Sequence, residues 1–306
     1  MRAKSEFEII GLLTKRLRTR GRGVIQGVGD DCACVAAGGE LLLISNDDMR
    51  ENVHFRRDFP PRGVGFKLIA ANASDILACG GVPKWINLSI GVPADLDESW
   101  LIELYDGVND ALERFGVTAT GGNLTRCESV QLGGAILGTT TRFVSRRGAK
   151  AGDDLWLSAP LGASRLGLEA LLKGSADETL AKMHLYPRLA LALQPLIARY
   201  ASSAIDISDG FLGDLGHLAE ASGVGFEVSD PKALIADEAL LAIGDFDKAL
   251  DFALHSGEEY QLLFTAPSDA HKTILDAGAI AIGRAIADRK LISGGKTYAP
   301  RGFSHF

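Results

Sequence analysis

At 306 residues the chain has room for two ordinary domains or one large α/β domain. Its 46% hydrophobic and 23% charged residues describe a globular protein with a core, not a disordered one. A net charge of −7 argues against a broad nucleic-acid surface, and no apolar run reaches membrane-spanning length.

Phe7, Ile10, Leu13 and Leu17 recur at helical spacing and predict an opening helix that ends near Gly21, with the basic run Lys15 to Arg22 as its solvated end. Leu41 to Ser45 predicts a short buried strand that stops at Asn46-Asp47-Asp48. Val64 to Cys79 predicts an alanine-rich helix closed by Gly80-Gly81. A strand follows over Trp85 to Val92, then a helix capped by Asp97 with Leu101, Leu104, Val108, Leu112 and Phe115 as its apolar stripe. Val130 to Thr139 returns to strand character. The turn-rich stretch from Ser145 to Asp154 marks the expected domain boundary. Beyond it lie a strand from Leu155 to Ala159 and a helix from Arg165 to Leu172. Next come a strand from Ala204 to Ile207, a helix from Phe211 to Ala221, a strand from Tyr260 to Thr265 and a short element over Ile280 to Ile286. Strands mixed with helices throughout give an α/β or α+β class.

Cys32, Cys34, Cys79 and Cys127 have neither CxxC pairing nor the spacing of a disulfide framework, so reduced thiols without a zinc site are expected. The first ten residues carry Glu6 and Glu8 and no apolar signal core, which leads to a cytoplasmic location.

Five polar clusters stand beside glycine at the ends of apolar elements. They are Gly29-Asp30-Asp31, Ser45-Asn46-Asp47-Asp48, Asn72 with Asp75, Gly121-Gly122-Asn123, and Asp206-Ile207-Ser208-Asp209-Gly210. Any one of them reads equally as a turn. Asp75 is different, because Ala71, Ala73, Ile76, Leu77 and Ala78 place it in a segment that expects burial. A carboxylate there must be hydrogen-bonded, paired or metal-bound. Asn72 lies one turn earlier, ready to orient it or a ligand. Asp206 sits in a similar apolar setting. Asp, Asn and Ser oxygens without a His/Cys cluster suit hard cations, Mg²⁺ first, and several carboxylates suggest more than one ion. An acidic chain binds a polyphosphate by letting such ions invert the local sign. Gly121 and Gly122 would let backbone amides approach a phosphate. No Walker A motif and no protein-kinase HRD/DFG set is present.

The segments GVGDDCACV (27–35), SNDDMRENVHF (45–55), NASDILACGGVPKW (72–85), GGNLTR (121–126), RRGAKAGDDLWLS (146–158), AIDISDGFLGDLGHLAEASGVG (204–225), HSGEEYQLLF (255–264) and the terminal GFSHF occur in one order across nearly the whole chain. Together they resemble the thiamine-monophosphate kinase family, within the superfamily of aminoimidazole-ribonucleotide synthetase. The resemblance implies ATP-dependent phosphorylation of thiamine monophosphate and a two-domain aminoimidazole-ribonucleotide synthetase-like fold. Residues 1–147 would bind ATP and Mg²⁺ and pair sheets across a homodimer; residues 148–306 would complete the site. It implies magnesium ligands at Asp30, Ser45, Asp47, Asp75, Asp206 and Asp209, with uncharged ligands expected at Asn46 and Asn123, where the family usually has Thr and Asp, the latter weakening one magnesium site. ATP contacts are implied at Gly122, Asn123, Arg146 and Ser208, and thiamine-phosphate contacts at His54 and Glu258. On the residues alone His54 reads equally as a surface histidine beside Arg56 and Arg57. Asp48 is expected to restore the charge lost at Asn123, and Phe303 or Phe306 to supply an aromatic where Pro300 replaces one.

Sister activities fit less well. Selenophosphate synthetase normally needs a reactive cysteine near its N-terminus, and residues 1–26 contain none. SNDD…NVHF and HSGEEYQLLF disfavour aminoimidazole-ribonucleotide synthetase. A nucleotide-binding regulator without catalysis is the reading from a different class, if Asn46 and Asn123 abolish a metal site.

Overall fold

Alternating burial along residues 40–50 explains the centre of the first sheet, because every second side chain of a strand faces the same way. Leu43, Ser45, Asp47 and Met49 face inward, whereas Ile44, Asn46, Asp48 and Arg50 face out. The computed structural model describes residues 6–175, 177–300 and 302–303. Residues 1–5, the side chain of Phe7, and Phe306 lie outside the described residues.

The chain begins α1 (Glu6–Thr14), β1 (Val24–Gln26), β2 (Ala33–Ala37), β3 (Glu40–Arg50), α2 (Pro61–Ala78), β4 (Val82–Val92), α3 (Glu98–Phe115), β5 (Thr118–Arg126) and β6 (Gln131–Thr140). It continues with β7 (Asp154–Leu157), α4 (Ala163–Leu172), α5 (Glu178–Leu185), α6 (Gln194–Tyr200), β8 (Ser203–Asp206), α7 (Phe211–Ser222) and β9 (Gly225–Val228). Last come α8 (Asp237–Ile243), α9 (Phe246–Leu254), β10 (Leu262–Ala266), α10 (His271–Asp276), β11 (Ile280–Ile286), β12 (Leu291–Ser293) and β13 (Lys296–Tyr298). The first sheet has the order β1-β2-β3-β6-β4-β5 and the second β13-β12-β9-β11-β7-β10-β8. The fold is therefore mixed α/β, as the alternating pattern predicts. In the first sheet only β4 and β5 pair in parallel, and α3 makes the crossover that such a pairing requires.

Two expectations are corrected. α1 stops at Thr14, and Ile10, Leu13 and Leu17 are 39%, 56% and 64% exposed. Arg16 and Arg20 would stack like charges one turn apart, which opposes continuing the helix to Gly21. β3 does not stop at Asn46. It runs on to Arg50, because β6 pairs with it throughout, Asp47 opposite Gly134 and Asp48 opposite Gly133. Partner pairing overrides the poor strand propensity of Asn and Asp.

The spine of the molecule is α2, opened by Pro61 and buried along nearly all its length. It packs on β3 and β6 of the first sheet, on α3, and on β8 and β10 of the second. Its contact with α3 is unusually close. A Cβ at Gly107 would lie 1.7 Å from the Arg62 carbonyl oxygen, and one at Gly65 2.0 Å from that of Leu104. Backbone cannot yield as a flexible side chain does, so Gly107→Ala is expected to destabilise the protein by about 2 kcal/mol. A shift in the midpoint of urea unfolding at unchanged slope is the check.

Candidate active site

Five separate parts of the chain converge where α2 passes between the two sheets. The turn before β2 brings Asp30 and Asp31, β3 brings Ser45 and Asp47, and α2 brings Asp75. The stretch after β6 brings Arg146, and the end of β8 brings Asp206 with Ser208 and Asp209. They line a cleft of about 770 Å³, a volume suited to a nucleotide-sized ligand. His54 and Glu258 line it too.

Hydrogen bonds fix the Asp30, Asp31, Asp75 and Asp206 carboxylates from behind. Ser45 Oγ donates to Asp75 Oδ2 at 2.5 Å, and Ser74 Oγ donates to Asp206 Oδ2 at 2.5 Å, tying α2 to the second sheet. Ser145 Oγ donates to Asp30 Oδ2 at 2.6 Å. Arg146 Nε donates to Asp31 Oδ1 at 3.0 Å, and the same guanidinium forms an ion pair with that oxygen. From the sequence Asn72 is expected to orient Asp75 or a ligand, but the buried side chain turns to β3 and its own helix instead. Its Oδ1 accepts the Asp47 N–H at 3.1 Å and its amide donates to the Leu68 carbonyl at 2.9 Å, so it locks β3 at Asp47. His54 Nδ1 accepts the Arg50 N–H at 3.0 Å, which turns the ring's other nitrogen away from its own turn.

The site is a concentration of negative charge. Burial, then the neighbouring carboxylates, pushes the Asp75 carboxyl well above the usual range. Burial first and like charges second also raise Asp47. Asp31 and Asp206 rise mainly through burial, with Arg146 and Ser74 respectively opposing the shift. Oxygens of Asp31, Asp75 and Asp206 lie within 4.8 Å of one another, and Asp31 Oδ2 is buried without a hydrogen-bond partner. A hard cation fits this arrangement, since Mg–O bonds of about 2.1 Å set opposite ligands about 4 Å apart. Cys79 adjoins Asp30 and Asp31, but burial pushes its thiol up to about 11, so it brings no thiolate. The residues present thus fit magnesium better than a soft metal.

Not every candidate joins the cleft in the same way. Asn46 lines the cleft too, but from the exposed face of β3, opposite Ser45 and Asp47. Gly122 and Asn123 lie on β5, an edge strand exposed along all nine residues. In register, Asp48, Gly133, Ser89 and Asn123 form one row across the sheet. Three strand spacings of about 4.8 Å put Asn123 about 14 Å from Asp48. Asp48 itself is paired with Arg50. Phe303 lines the cleft. The residue that sequence reasoning missed is Asp31, read with Asp30 as an acidic pair in one loop. Its signal was the apolar strand that begins immediately after it.

The chain matches the AIR synthase related protein, N-terminal domain family over residues 29–140. A thiamine-monophosphate kinase of Aquifex aeolicus (strain VF5) is 37% identical over 307 residues, covering 98% of each chain. A thiamine-monophosphate kinase of Salmonella typhimurium is 35% identical over 290 residues, 92% of this chain and 87% of the relative. The solved structure of AaThiL complexed with AMPPCP and TMP superimposes with a TM-score of 0.91 at 36% identity, covering 100% of this chain and 99% of that one. Likeness of this extent, over a shared fold and almost the full length of both chains, makes this chain a member of the thiamine-monophosphate kinase family.

Proposed function

We propose that the protein transfers the terminal phosphoryl group of ATP to the phosphate of thiamine monophosphate, yielding thiamine diphosphate and ADP. The observation that carries this reading is the convergence of Asp30, Asp47, Asp75, Asp206 and Asp209 on one cleft in a chain of this family. The AaThiL structure, which holds AMPPCP and TMP, supports both substrates.

The acceptor oxygen belongs to a phosphate already ionised near neutral pH, so the chain needs no general base. Its task is to align donor and acceptor for direct in-line transfer and to exclude water. Arg146, held by Asp31, is assigned to the ATP phosphates together with Ser208. Magnesium ions held by Asp30, Ser45, Asp47, Asp75, Asp206 and Asp209 would neutralise the phosphates and stabilise charge in transfer. His54 and Glu258 are assigned to the acceptor; burial alone would raise the Glu258 carboxyl, but Lys67 foremost, with His54 adding least, holds it below its usual range. Asn123 lies outside the cleft and Asn46 lines it as an uncharged neighbour, so the aspartates of the cluster keep their charge, which favours catalysis over a nucleotide-binding regulator.

The proposal includes two functional units, 1–147 and 148–306, and a homodimer. The exposed edge β5 supports the dimer, since an unpaired strand edge is a template for another chain. Gly122 and Asn123 are assigned to nucleotide near that interface. Four free cysteines among the described residues support a cytoplasmic location. Among the described residues no helix is long and apolar enough to cross a membrane.

ADP release measured with Mg²⁺ across a panel of phosphorylated acceptors tests the activity. Thiamine monophosphate is expected to exceed unphosphorylated thiamine by at least about 100-fold in kcat/KM. ATP binding without acceptor-dependent ADP release would overturn the reading in favour of the regulator.

A further inference from the structure

The end of α2 remote from Asp75 carries a second buried charge that the proposed chemistry leaves unused. Lys67 is 0% exposed, and its amine lies 2.5 Å from Glu258 Oε1 and 2.7 Å from His184 Nε2. His184 is itself buried on α5, and its Nδ1 meets Ser164 Oγ of α4 at 3.0 Å. Ser164 Oγ donates onward to the Glu258 backbone carbonyl at 2.8 Å.

These contacts admit one consistent order of protons. The Lys67 ammonium donates to His184 Nε2, His184 Nδ1–H donates to Ser164 Oγ, and Ser164 O–H donates to the Glu258 carbonyl. Burial and the Lys67 charge push His184 down to about 3, so the ring remains neutral as this order requires. Glu258 is therefore gripped twice, by its carboxylate and by its own backbone carbonyl. The grip matters because Glu258 has φ +55°, and Tyr260 has φ +53°. A left-handed conformation costs a non-glycine residue about 1 kcal/mol and persists only where the surroundings enforce it.

Replacing a buried ion pair by apolar side chains is often neutral or stabilising, so stability alone is a poor account of Lys67. The Glu258 side chain, by contrast, is 24% exposed and lines the cleft. We propose that Lys67, backed by His184 and Ser164, is a positioning residue for the acceptor: it fixes the Glu258 carboxylate at the acceptor end of the cleft. Lys67 precedes Asp75 by eight residues, so α2 separates the two ends of the reaction by about 12 Å along its axis. One helix then sets the distance between the phosphate-transfer centre and the group that holds the acceptor.

The inference rests on the reading that Glu258 contacts the acceptor, and the test separates the two. KM values for thiamine monophosphate and for ATP are measured in Glu258→Gln, Lys67→Met and the double variant. Lys67→Met is expected to raise the acceptor KM about tenfold while the ATP KM stays within about twofold. The double variant is expected to be no worse than the worse single one, because both substitutions remove the same placement. An unchanged acceptor KM in Glu258→Gln overturns the reading of Glu258. A raised value there with an unchanged value in Lys67→Met overturns the positioning role alone, as do additive effects or an equal rise in both KM values. If Lys67→Met does not fold, Ser164→Ala carries the test. An acceptor KM about threefold higher at constant ATP KM sustains the proposal, and no change overturns it.

Discussion

Replacing Asp75 by asparagine is expected to cut turnover by on the order of 10³-fold while leaving the protein folded. The substitution keeps the volume of the side chain, and an amide oxygen can still accept the Ser45 hydroxyl that now reaches Asp75 Oδ2 at 2.5 Å. What disappears is one negative charge from the centre of the cluster, with Asp47, Asp206 and Asp31 around it. Because burial, then those neighbours, oppose ionisation of Asp75, removing the ionisable group should raise the stability of the metal-free protein at neutral pH by about 1–2 kcal/mol. Activity and stability thus move in opposite directions, which a damaged fold could not produce. ADP release and thermal melting on the same sample read both, and turnover near that of the parent would remove the metal clamp from the mechanism.

The same physics explains what could be read from the sequence. Asp75 and Asp206 were legible because a carboxylate among alanines, isoleucines and leucines has few permitted fates. Lys67 carries the same signal with the opposite sign, lying between Phe66 and Leu68-Ile69 in an apolar helix. Its partners were hidden, since His184 and Glu258 lie more than one hundred residues away and only the docking of α5 and the 255–260 loop on α2 unites them. Asn72 sent its hydrogen bonds to β3 because strand pairing places the Asp47 amide within reach, and helix periodicity carries no such information. The outward direction of Asn46 follows from alternation once β3 is known to continue through it. That continuation depends on β6, a long-range partner that the local run of polar residues gives no reason to expect. Arg146 entered only through family resemblance; its reason is Asp31, a buried carboxylate among other carboxylates whose charge it offsets.

Magnesium is expected to change how stability depends on pH, and its withdrawal to abolish turnover. In the metal-free protein the Asp31, Asp47, Asp75 and Asp206 carboxyls are all held above their ordinary values. An unfolded aspartate loses its proton near pH 4, so above that pH the folded state holds more protons than the unfolded one. The stability these groups contribute is therefore complete below about pH 4 and falls as pH rises towards about 7, where Asp31 ionises. Cation binding selects the ionised carboxylates, so protons compete with magnesium and the ion binds more tightly as pH rises. At a concentration of 100 Kd the ion adds about 2.7 kcal/mol. Melting with Mg²⁺ and with a chelator at each pH isolates this cluster, because carboxylates remote from the metal, such as Glu51 beside Arg57, cancel in the difference. The difference should be small at pH 5, grow towards pH 8, and shrink in Asp75→Asn. A magnesium effect of equal size at both pH values would mean that the ion binds somewhere other than in this acidic cleft.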